Sequence, residues 1–340
     1  MSGARRRLAL LTAGFLLGIA VPASRAGAQD VPLAPEPLSS VVGRVVVARA
    51  GEEPRPIPGT WVALSRIGND TAGVIDSVRT ASDGAYRFTY RRFGDPDAIY
   101  FTDATYGGVA YFTDPLRGLN VTGEDADLVV FDTVSAPAGA KSPLRVRGRH
   151  FVVGAALPRG RRAVVEVFEL TNDTSLTIVP RSDVDPVWSA ALVPGAEQAE
   201  VGDGDVSASV VHFRDGRAEL FAPIAPGLRQ LSIHYTVPES AFPLTLALPD
   251  SLEVLEVLLA GSGGTATGAG LHAERGVTIE EEPYARFLSR QAEAGDEVVI
   301  RIAGSAAERF AVPLVIGLSV LVFAAALVHV RRTTYRSSHN

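Results

Sequence analysis

Short runs of alternating apolar and polar residues, each bounded by turn-forming residues, dominate the central part of this chain. Representative runs are "VVGRVVVA" (41–48), "AYRFTY" (85–90) and "GVAYFT" (108–113). A period of two puts successive side chains on opposite faces of a β-strand, and Gly, Pro, Asp and Asn between the runs are typical of turns. Helical periodicity is almost absent from this region. The pattern predicts an all-β fold made of antiparallel β-sandwiches.

The stretch "RTASDGAYRFTY" (79–90) contains a Ser-Asp-Gly triplet between two extended runs. Gly84 is free to adopt a positive φ, and the carboxylate of Asp83 can accept a hydrogen bond from its own backbone. We therefore expect a chain reversal at 82–84, at the tip of a β-hairpin. Three aromatic residues then share one face of the second strand: Tyr86, Phe88 and Tyr90.

Three motifs in the same region occur in a fixed order. Gly43-Arg44-Val45 is followed by "PGTWVAL" (58–64) and then by "TASDGAYRF" (80–88). This order of G-x-V, P-G-x-x-V-x-L and T-x-x-D-G-x-Y-x-F resembles the carboxypeptidase regulatory-like domain, a transthyretin-like β-sandwich, over residues 38–134. Ala81 departs from the family, which often has Asp after the Thr. The resemblance implies a structural or binding role, because the modules of that family are mostly non-catalytic.

The remainder of the central region continues in the same style. Residues 29–40 and 135–143 are rich in proline or small residues and have the composition of linkers. They divide this part of the chain into a first sandwich at 41–134 and a second at 144–304. Within the second, Asn172-Asp173 and Asp215-Gly216 are candidates for hairpin turns.

The two ends of the chain carry uncharged apolar runs. Three arginines precede the run at 8–21, which Ala26-Gly27-Ala28 follows; this is the pattern of a secretory signal peptide at 1–28. An uncleaved membrane anchor is the alternative. The second run, at 310–330, is followed by Arg331 and Arg332, and about 21 residues at ~1.5 Å each cross a hydrocarbon core of about 30 Å.

This second run predicts one C-terminal transmembrane helix that anchors the protein in the lipid bilayer. Basic residues beyond the run favour a cytoplasmic tail at 331–340. Residues 29–305 are then expected to lie outside the plasma membrane, in the periplasm or at the cell surface. The chain has no cysteine, so its domains must be stabilised by their cores without disulfides. A formal net charge of −6 argues against nucleic-acid binding.

No constellation of catalytic or metal-ligating residues stands out. The six histidines show no H-x-H or H-x-x-x-H spacing, and no G-x-S-x-G nucleophile motif occurs. Gly261-x-Gly263-x-x-Ala266 fits a loose dinucleotide fingerprint, but neither a helix pattern nor a later acidic residue completes it. We therefore predict a non-enzymatic protein without a metal or cofactor. The alternative is an extracytoplasmic hydrolase or metalloenzyme with a site assembled on the second β domain.

Aromatic residues around "ATYGGVAYFTDP" (104–115) provide the one candidate binding site. Gly107-Gly108 lies between Tyr106 and Tyr111 and suggests a strand connection that exposes both tyrosines. Exposed tyrosines bind sugars or peptides through an apolar ring with a polar tip; a role in the core is the alternative. The sequence thus predicts a membrane-anchored binding or scaffolding protein whose two β-sandwiches meet an envelope protein or polysaccharide.

Overall fold

The computed structural model describes residues 37–137 and 142–302. Within these ranges the chain forms β-strands and three short 3-10 helices, with no α-helix, which confirms the all-β prediction for this part. None of the described residues belongs to a helix long and apolar enough to cross a membrane. The predicted signal peptide at 1–28 and the predicted transmembrane helix at 310–330 lie outside the described residues.

Nine strands precede residue 132. They are β1 (Leu38–Ala48), β2 (Arg55–Pro56), β3 (Trp61–Ile67), β4 (Ala72–Arg79), β5 (Ala85–Arg91), β6 (Ile99–Tyr106), β7 (Val109–Phe112), β8 (Asn120–Thr122) and β9 (Leu128–Phe131).

Fifteen strands follow. They are β10 (Thr133–Ser135), β11 (Arg145–Leu157), β12 (Arg161–Asn172), β13 (Thr177–Val179), β14 (Trp188–Ala191), β15 (Glu197–Val201), β16 (Val211–Arg214), β17 (Arg217–Leu220), β18 (Gly227–Pro238), β19 (Leu244–Ala247), β20 (Val254–Ala260), β21 (Thr265–Gly268), β22 (His272–Ile279), β23 (Glu282–Ser289) and β24 (Glu297–Arg301). The 3-10 helices are Gly123–Asp125, Ala208–Val210 and Glu239–Ala241.

Strands β1–β9 form two sheets around one hydrophobic core. In the five-stranded sheet, β1 pairs with β2, β5, β8 and β9, and the four-stranded sheet has the order β4-β3-β6-β7. The inward residues of each strand alternate with outward ones, as the sequence pattern requires. The core includes Val41, Val45, Val62, Leu64, Phe88, Tyr100, Leu128 and Val130. The prediction of purely antiparallel sheets is wrong here, because β8 and β9 run parallel to β1.

The chain reverses at 82–84, as the Ser-Asp-Gly triplet predicts. The backbone N–H of Gly84 donates to the carbonyl of Ala81 at 3.0 Å, and the N–H of Ala81 donates to the carbonyl of Ala85 at 2.8 Å. The carboxylate of Asp83 accepts from the N–H of Ala85 at 3.1 Å. Gly84 has φ +75°, a left-handed conformation that favours glycine.

The reversal is nevertheless not a hairpin. Strand β4 belongs to the four-stranded sheet, whereas β5 pairs with β1 in the five-stranded sheet. The N–H of Val45 on β1 donates to the carbonyl of Gly84 at 3.0 Å, which directs the chain to the opposite sheet as soon as the turn ends. The triplet is therefore a corner of the sandwich. The three aromatic residues that follow it on β5 are buried in the core, as expected: Tyr86, Phe88 and Tyr90.

The strands from β11 to β24, except β13, build three sheets around a second core. A seven-stranded sheet has the order β15-β18-β12-β11-β20-β23-β22, and two three-stranded sheets have the orders β14-β17-β16 and β19-β24-β21. The core includes Phe151, Phe168, Leu170, Trp188, Leu231, Ile233, Leu255 and Val257. Pairing is again mixed, since β11 and β20 are parallel.

Asp215-Gly216 forms the predicted hairpin between β16 and β17. No hairpin forms at Asn172-Asp173, because the following strand β13 pairs with β10.

A two-stranded parallel sheet joins the two halves. Strand β10 pairs with β13, with Thr133 opposite Thr177 and Ser135 opposite Val179. Sequence analysis assigned residues 135–143 to a linker, but Ser135 is part of this strand. The contact ties the end of the first set of sheets directly to the second.

Candidate functional site: an exposed aromatic sheet face

The outer surface of the four-stranded sheet carries a group of large apolar side chains that is uncovered among the described residues. We call it the aromatic face. It consists of Trp61, Ile67, Val74, Ile99, Phe101 and Phe112. Five of these six are exposed and Phe101 is half-buried. Large apolar side chains grouped on one open surface of a monomer mark a candidate interaction site.

Strand register brings these side chains together. Ile67 on β3 lies opposite Ile99 on β6, and Phe112 on β7 lies opposite Asp103 on β6. Because successive residues point to opposite faces, Val62 and Leu64 enter the core while Trp61 points outward. The aromatic face therefore follows from the same alternation that builds the core.

The aromatic rings of the face are held in defined positions. The guanidinium of Arg79 on β4 lies 4.7 Å from the centre of the Trp61 ring, a cation–π geometry. Phe101 and Phe112 meet edge to face with their ring centres 5.8 Å apart. Trp61 is 56% exposed and Phe112 61% exposed, so both rings keep a large area free for a ligand.

Polar groups lie between the two exposed rings. Asp103 on β6 lies opposite Phe112, and its carboxylate accepts from the hydroxyl of the buried Ser65 on β3 at 2.9 Å. Thr105 on β6 is exposed on the same side. A ligand that crosses the face would thus meet apolar rings at its ends and hydrogen-bonding groups between them.

The size of the face follows from sheet geometry. Four strands about 4.8 Å apart and about seven residues of ~3.4 Å each cover at most roughly 450 Å². The largest apolar patch on a typical monomer is roughly 300–600 Å² and is often functional. The aromatic face therefore falls at most within the size range of the largest apolar patch on a typical monomer.

Tyr111, one of the two predicted ligand-binding tyrosines, is not on this face. It is 7% exposed, and its hydroxyl donates to the carbonyl of Phe131 at 3.0 Å and lies 2.7 Å from the hydroxyl of Thr177. The expectation that Tyr106 and Tyr111 are exposed together is wrong, because Tyr111 points inward from β7 and its neighbour Phe112 points outward. Tyr111 instead links the two halves of the protein.

Tyr106, the other predicted residue, is half-buried. Its hydroxyl donates to the carboxylate of Asp132 at 2.8 Å, which also accepts from the guanidinium of Arg49 at 2.8 Å. The hydrogen bond to Asp132 raises the pKa of Tyr106, and the hydrogen bond from Arg49 lowers the pKa of Asp132. A role of Tyr106 in ligand binding stays a prediction.

The described residues also bear on the alternative of a metal or catalytic site. Within 37–137 and 142–302, no three His, Asp or Glu side chains are grouped so that they would hold a metal ion. Of the histidines in these ranges, His150 is engaged by Glu256 and Glu169 and His234 by Ser232. The structure thus brings together the residues of the aromatic face and, separately, a buried pair in which the hydroxyl of Ser232 lies 3.0 Å from His234 Nε2.

Sequence reasoning missed Trp61 as a site residue, and it included Phe112 in the aromatic group around 104–115 without singling it out. The alternation in β3 indicated the outward direction of Trp61, because Val62 and Leu64 point inward and Trp61 directly precedes Val62. For β7 the signal was weak, because "VAYF" is apolar at every position and both faces satisfy the pattern.

No family model and no curated protein matches the chain. Among solved structures, a DUF3823 family protein from Parabacteroides merdae is 13% identical, covers 58% of this chain and 80% of its own, and has a TM-score of 0.20. The major pilin SpaD from Corynebacterium diphtheriae is 11% identical, with 75% and 81% covered and a TM-score of 0.20. The major pilin subunit of Bacillus cereus is 11% identical, with 78% and 85% covered and a TM-score of 0.21. These scores are too low to assign a fold family, so function is argued from the site alone.

Proposed function

We propose that this protein is a membrane-anchored, extracytoplasmic binding protein whose aromatic face holds a polysaccharide of the cell envelope. The observation that supports the proposal most directly is the pair of exposed rings, Trp61 and Phe112, with Asp103 between them in the register of the sheet. The extracytoplasmic location is part of the proposal and is supported by the sequence patterns of a signal peptide and a C-terminal anchor. The carboxypeptidase regulatory-like resemblance of the first sandwich fits a non-catalytic module.

A sugar chain has the chemistry that this face would recognise. Each pyranose ring offers an apolar C–H surface that stacks on an aromatic ring, together with hydroxyl groups around its edge. The rings of Trp61 and Phe112 are separated by two strands and about two residues, roughly 12 Å from strand spacing and rise. A chain of two or more sugars would reach both rings while its hydroxyls meet Asp103.

A protein partner is less well matched to the same surface. Stable protein–protein interfaces bury about 800 Å² on each partner, nearly twice the area of the aromatic face. Interface cores that large also need a continuous apolar centre, whereas Asp103 and Thr105 interrupt the apolar side chains of this face. An extended glycan needs less area because its contacts repeat along the chain.

The test is co-sedimentation of the segment 29–305 with two insoluble probes, isolated peptidoglycan and cellulose. We expect binding to at least one of them. Trp61→Ala and Phe112→Ala should each weaken that binding about fivefold or more, since loss of an anchoring aromatic costs more than ~1 kcal/mol. Phe93→Ala is the matched control, because Phe93 is exposed but lies outside the face, under Arg66.

Two results would contradict the proposal. One is binding that the Phe93 variant weakens as much as the two face variants do. The other is no binding to either probe together with a stable complex between the segment and an envelope protein, which would make the face a protein-docking surface.

The hydrolase alternative is tested on the same segment. We expect it to be free of stoichiometric metal and inactive on peptide, ester and glycoside substrates. One equivalent of metal by elemental analysis, or turnover that is lost when one histidine or acidic residue is replaced, would favour an enzyme.

A further inference from the structure

A cavity of about 520 Å³ lies between the seven-stranded sheet and the sheet formed by β14, β17 and β16. Its walls come from the start of β11, from Phe168 on β12, from β14, from Arg217 on β17 and from residues 247–252 between β19 and β20. Ligand pockets in proteins typically have volumes of about 300–1,000 Å³. The cavity is separate from the aromatic face, which belongs to the first set of sheets.

Most of the cavity wall is apolar. Trp188 and Phe168 meet edge to face with ring centres 4.9 Å apart, and both are buried. Aliphatic residues complete this part of the wall: Leu144, Val146, Leu248 and Leu252. A ligand with a flat or aliphatic body would replace water against these side chains, which is favourable in proportion to the apolar area covered.

Arg149 provides a fixed set of hydrogen-bond donors at the wall. Its Nε and Nη2 donate to one carboxylate oxygen of Glu166 at 2.9 and 2.6 Å, and its Nη1 donates to the carbonyl of Ala247 at 3.4 Å. A guanidinium has five N–H donors, so two remain without an acceptor among the described residues. The ring of Phe168 lies 5.1 Å from the guanidinium carbon and holds the group in place.

Tyr235 completes the network behind Arg149. Its hydroxyl donates to the second carboxylate oxygen of Glu166. Burial raises the pKa of Tyr235 well above its ordinary value, so the hydroxyl stays a donor. Glu166 is therefore fully engaged on both oxygens, and its orientation fixes that of Arg149.

Arg217 adds a second guanidinium at the rim. Its Nη2 donates to the hydroxyl of Ser189 at 2.7 Å, and no ion pair with a carboxylate is found for it within the described ranges. Its neighbour across the hairpin, Arg214, is by contrast paired with Glu219 at 2.9 Å. The cavity wall also includes the carboxylate of Asp250, and Arg149 is already paired with Glu166.

We infer that this cavity binds a small amphipathic carboxylate, with its apolar body on Trp188 and its acidic head between Arg149 and Arg217. The acidic head would accept hydrogen bonds from the two N–H groups of Arg149 that have no acceptor among the described residues, and would lie beside the guanidinium of Arg217. The apolar body would cover the buried indole. This ligand site goes beyond the proposed binding of an envelope polysaccharide and does not depend on it.

The chain offers a direct reporter, because Trp61 and Trp188 are its two tryptophans. In the full chain carrying Trp61→Phe, purified in a nonionic detergent, Trp188 is the remaining source of indole fluorescence. The probes are 4-phenylbutyrate and its uncharged analogue 4-phenyl-1-butanol. We expect a saturable change in Trp188 emission with both, at a concentration about two- to fivefold lower for the acid, the range that a partly exposed charge pair provides.

Three further substitutions locate the site. Arg217→Gln should remove the tighter binding of the acid relative to the alcohol. Arg214→Gln, on the same hairpin and with the same change of charge, should leave that difference unchanged. Ala191→Phe, at an exposed position of the wall, should weaken both probes. The proposed site would be wrong if the change in Trp188 emission does not saturate with either probe. It would also be wrong if the change saturates at the same probe concentrations in the Ala191→Phe variant. Equal affinity for acid and alcohol in the Trp61→Phe chain would overturn the acidic head.

Discussion

Replacement of His150 by Gln should change how the stability of the protein depends on pH. His150 lies on the outer side of the seven-stranded sheet, opposite Glu256 in the register of β11 and β20. Its Nδ1 is 2.8 Å from Glu256 Oε2, and its Nε2 is 3.5 Å from Glu169 Oε1. Its side chain is 12% exposed, so solvent screens these interactions only in part.

The two carboxylates determine the charge of His150. Burial by itself lowers the pKa of His150, but its interactions with Glu169 and Glu256 raise it more, from 6.5 to about 9. Burial likewise raises the pKa of Glu256, and His150 together with Arg286, whose Nε is 2.6 Å from Glu256 Oε1, lowers it below the ordinary value. The folded protein therefore holds a protonated His150 at neutral pH.

The magnitude follows from linkage. A difference in pKa between 6.5 unfolded and about 9 folded, at ~1.36 kcal/mol per pKa unit, corresponds to roughly 3 kcal/mol. Since the folded pKa is the higher one, this stabilisation is complete below pH 6.5 and is lost as the pH rises to about 9. The 3.5 Å contact with Glu169 is long for a hydrogen bond, so the expected contribution is about 2–3 kcal/mol.

Urea denaturation of the segment 29–305 at a series of pH values measures this effect. The free energy of unfolding of the wild type should fall by about 2–3 kcal/mol more than that of His150→Gln between pH 6.5 and 9. His272→Gln is the control, because His272 is exposed on the edge strand β22. If the wild type and the His150 variant show parallel pH profiles, then His150 is not held protonated by its two neighbours, and this account of the outer sheet surface is wrong.

Two further predictions concern the corner and the junction. Gly84→Val should lower the free energy of unfolding by at least ~1 kcal/mol more than Gly51→Val. Both glycines have a positive φ, but a Cβ at Gly84 would lie 2.7 Å from the carbonyl oxygen of Val45, whereas nothing lies within 4 Å of a Cβ at Gly51. Equal losses of stability in denaturant titrations would show that only the positive φ matters. Tyr111→Phe should lower the free energy of unfolding by about 1–3 kcal/mol, because the buried hydroxyl of Tyr111 forms hydrogen bonds with the carbonyl of Phe131 and the hydroxyl of Thr177. A variant as stable as the wild type would mean that water replaces those hydrogen bonds.

Local sequence patterns predicted the strands and some of the turns, although the hairpin expected at Asn172-Asp173 does not form. The alternation in β5 correctly placed Tyr86, Phe88 and Tyr90 on one face, which the structure shows to be buried. The Ser-Asp-Gly triplet gave the correct turn, because the requirement for a positive φ at Gly84 is local. Such features depend on neighbouring residues alone, and a single sequence contains them in full.

Strand pairing was not predictable in the same way. Whether β5 follows β4 in one sheet or crosses to β1 depends on contacts between residues that are distant in the chain. The parallel pairing of β9 with β1 and of β10 with β13 has the same origin. Buried charges such as Arg149 and Glu166 are also not predictable from sequence patterns, because the desolvation cost of each is offset only by a hydrogen-bonded partner on another strand.

Strand β7 shows how one short element serves two surfaces. Tyr111 points inward to Thr177, across the junction with the second set of sheets, and Phe112 points outward on the aromatic face. Because the two side chains lie on opposite faces of one strand, a ligand on the aromatic face leaves the hydrogen bonds of Tyr111 unchanged. Loss of binding in Phe112→Ala without loss of stability, and loss of stability in Tyr111→Phe without loss of binding, would therefore separate recognition from the connection between the two halves of the protein.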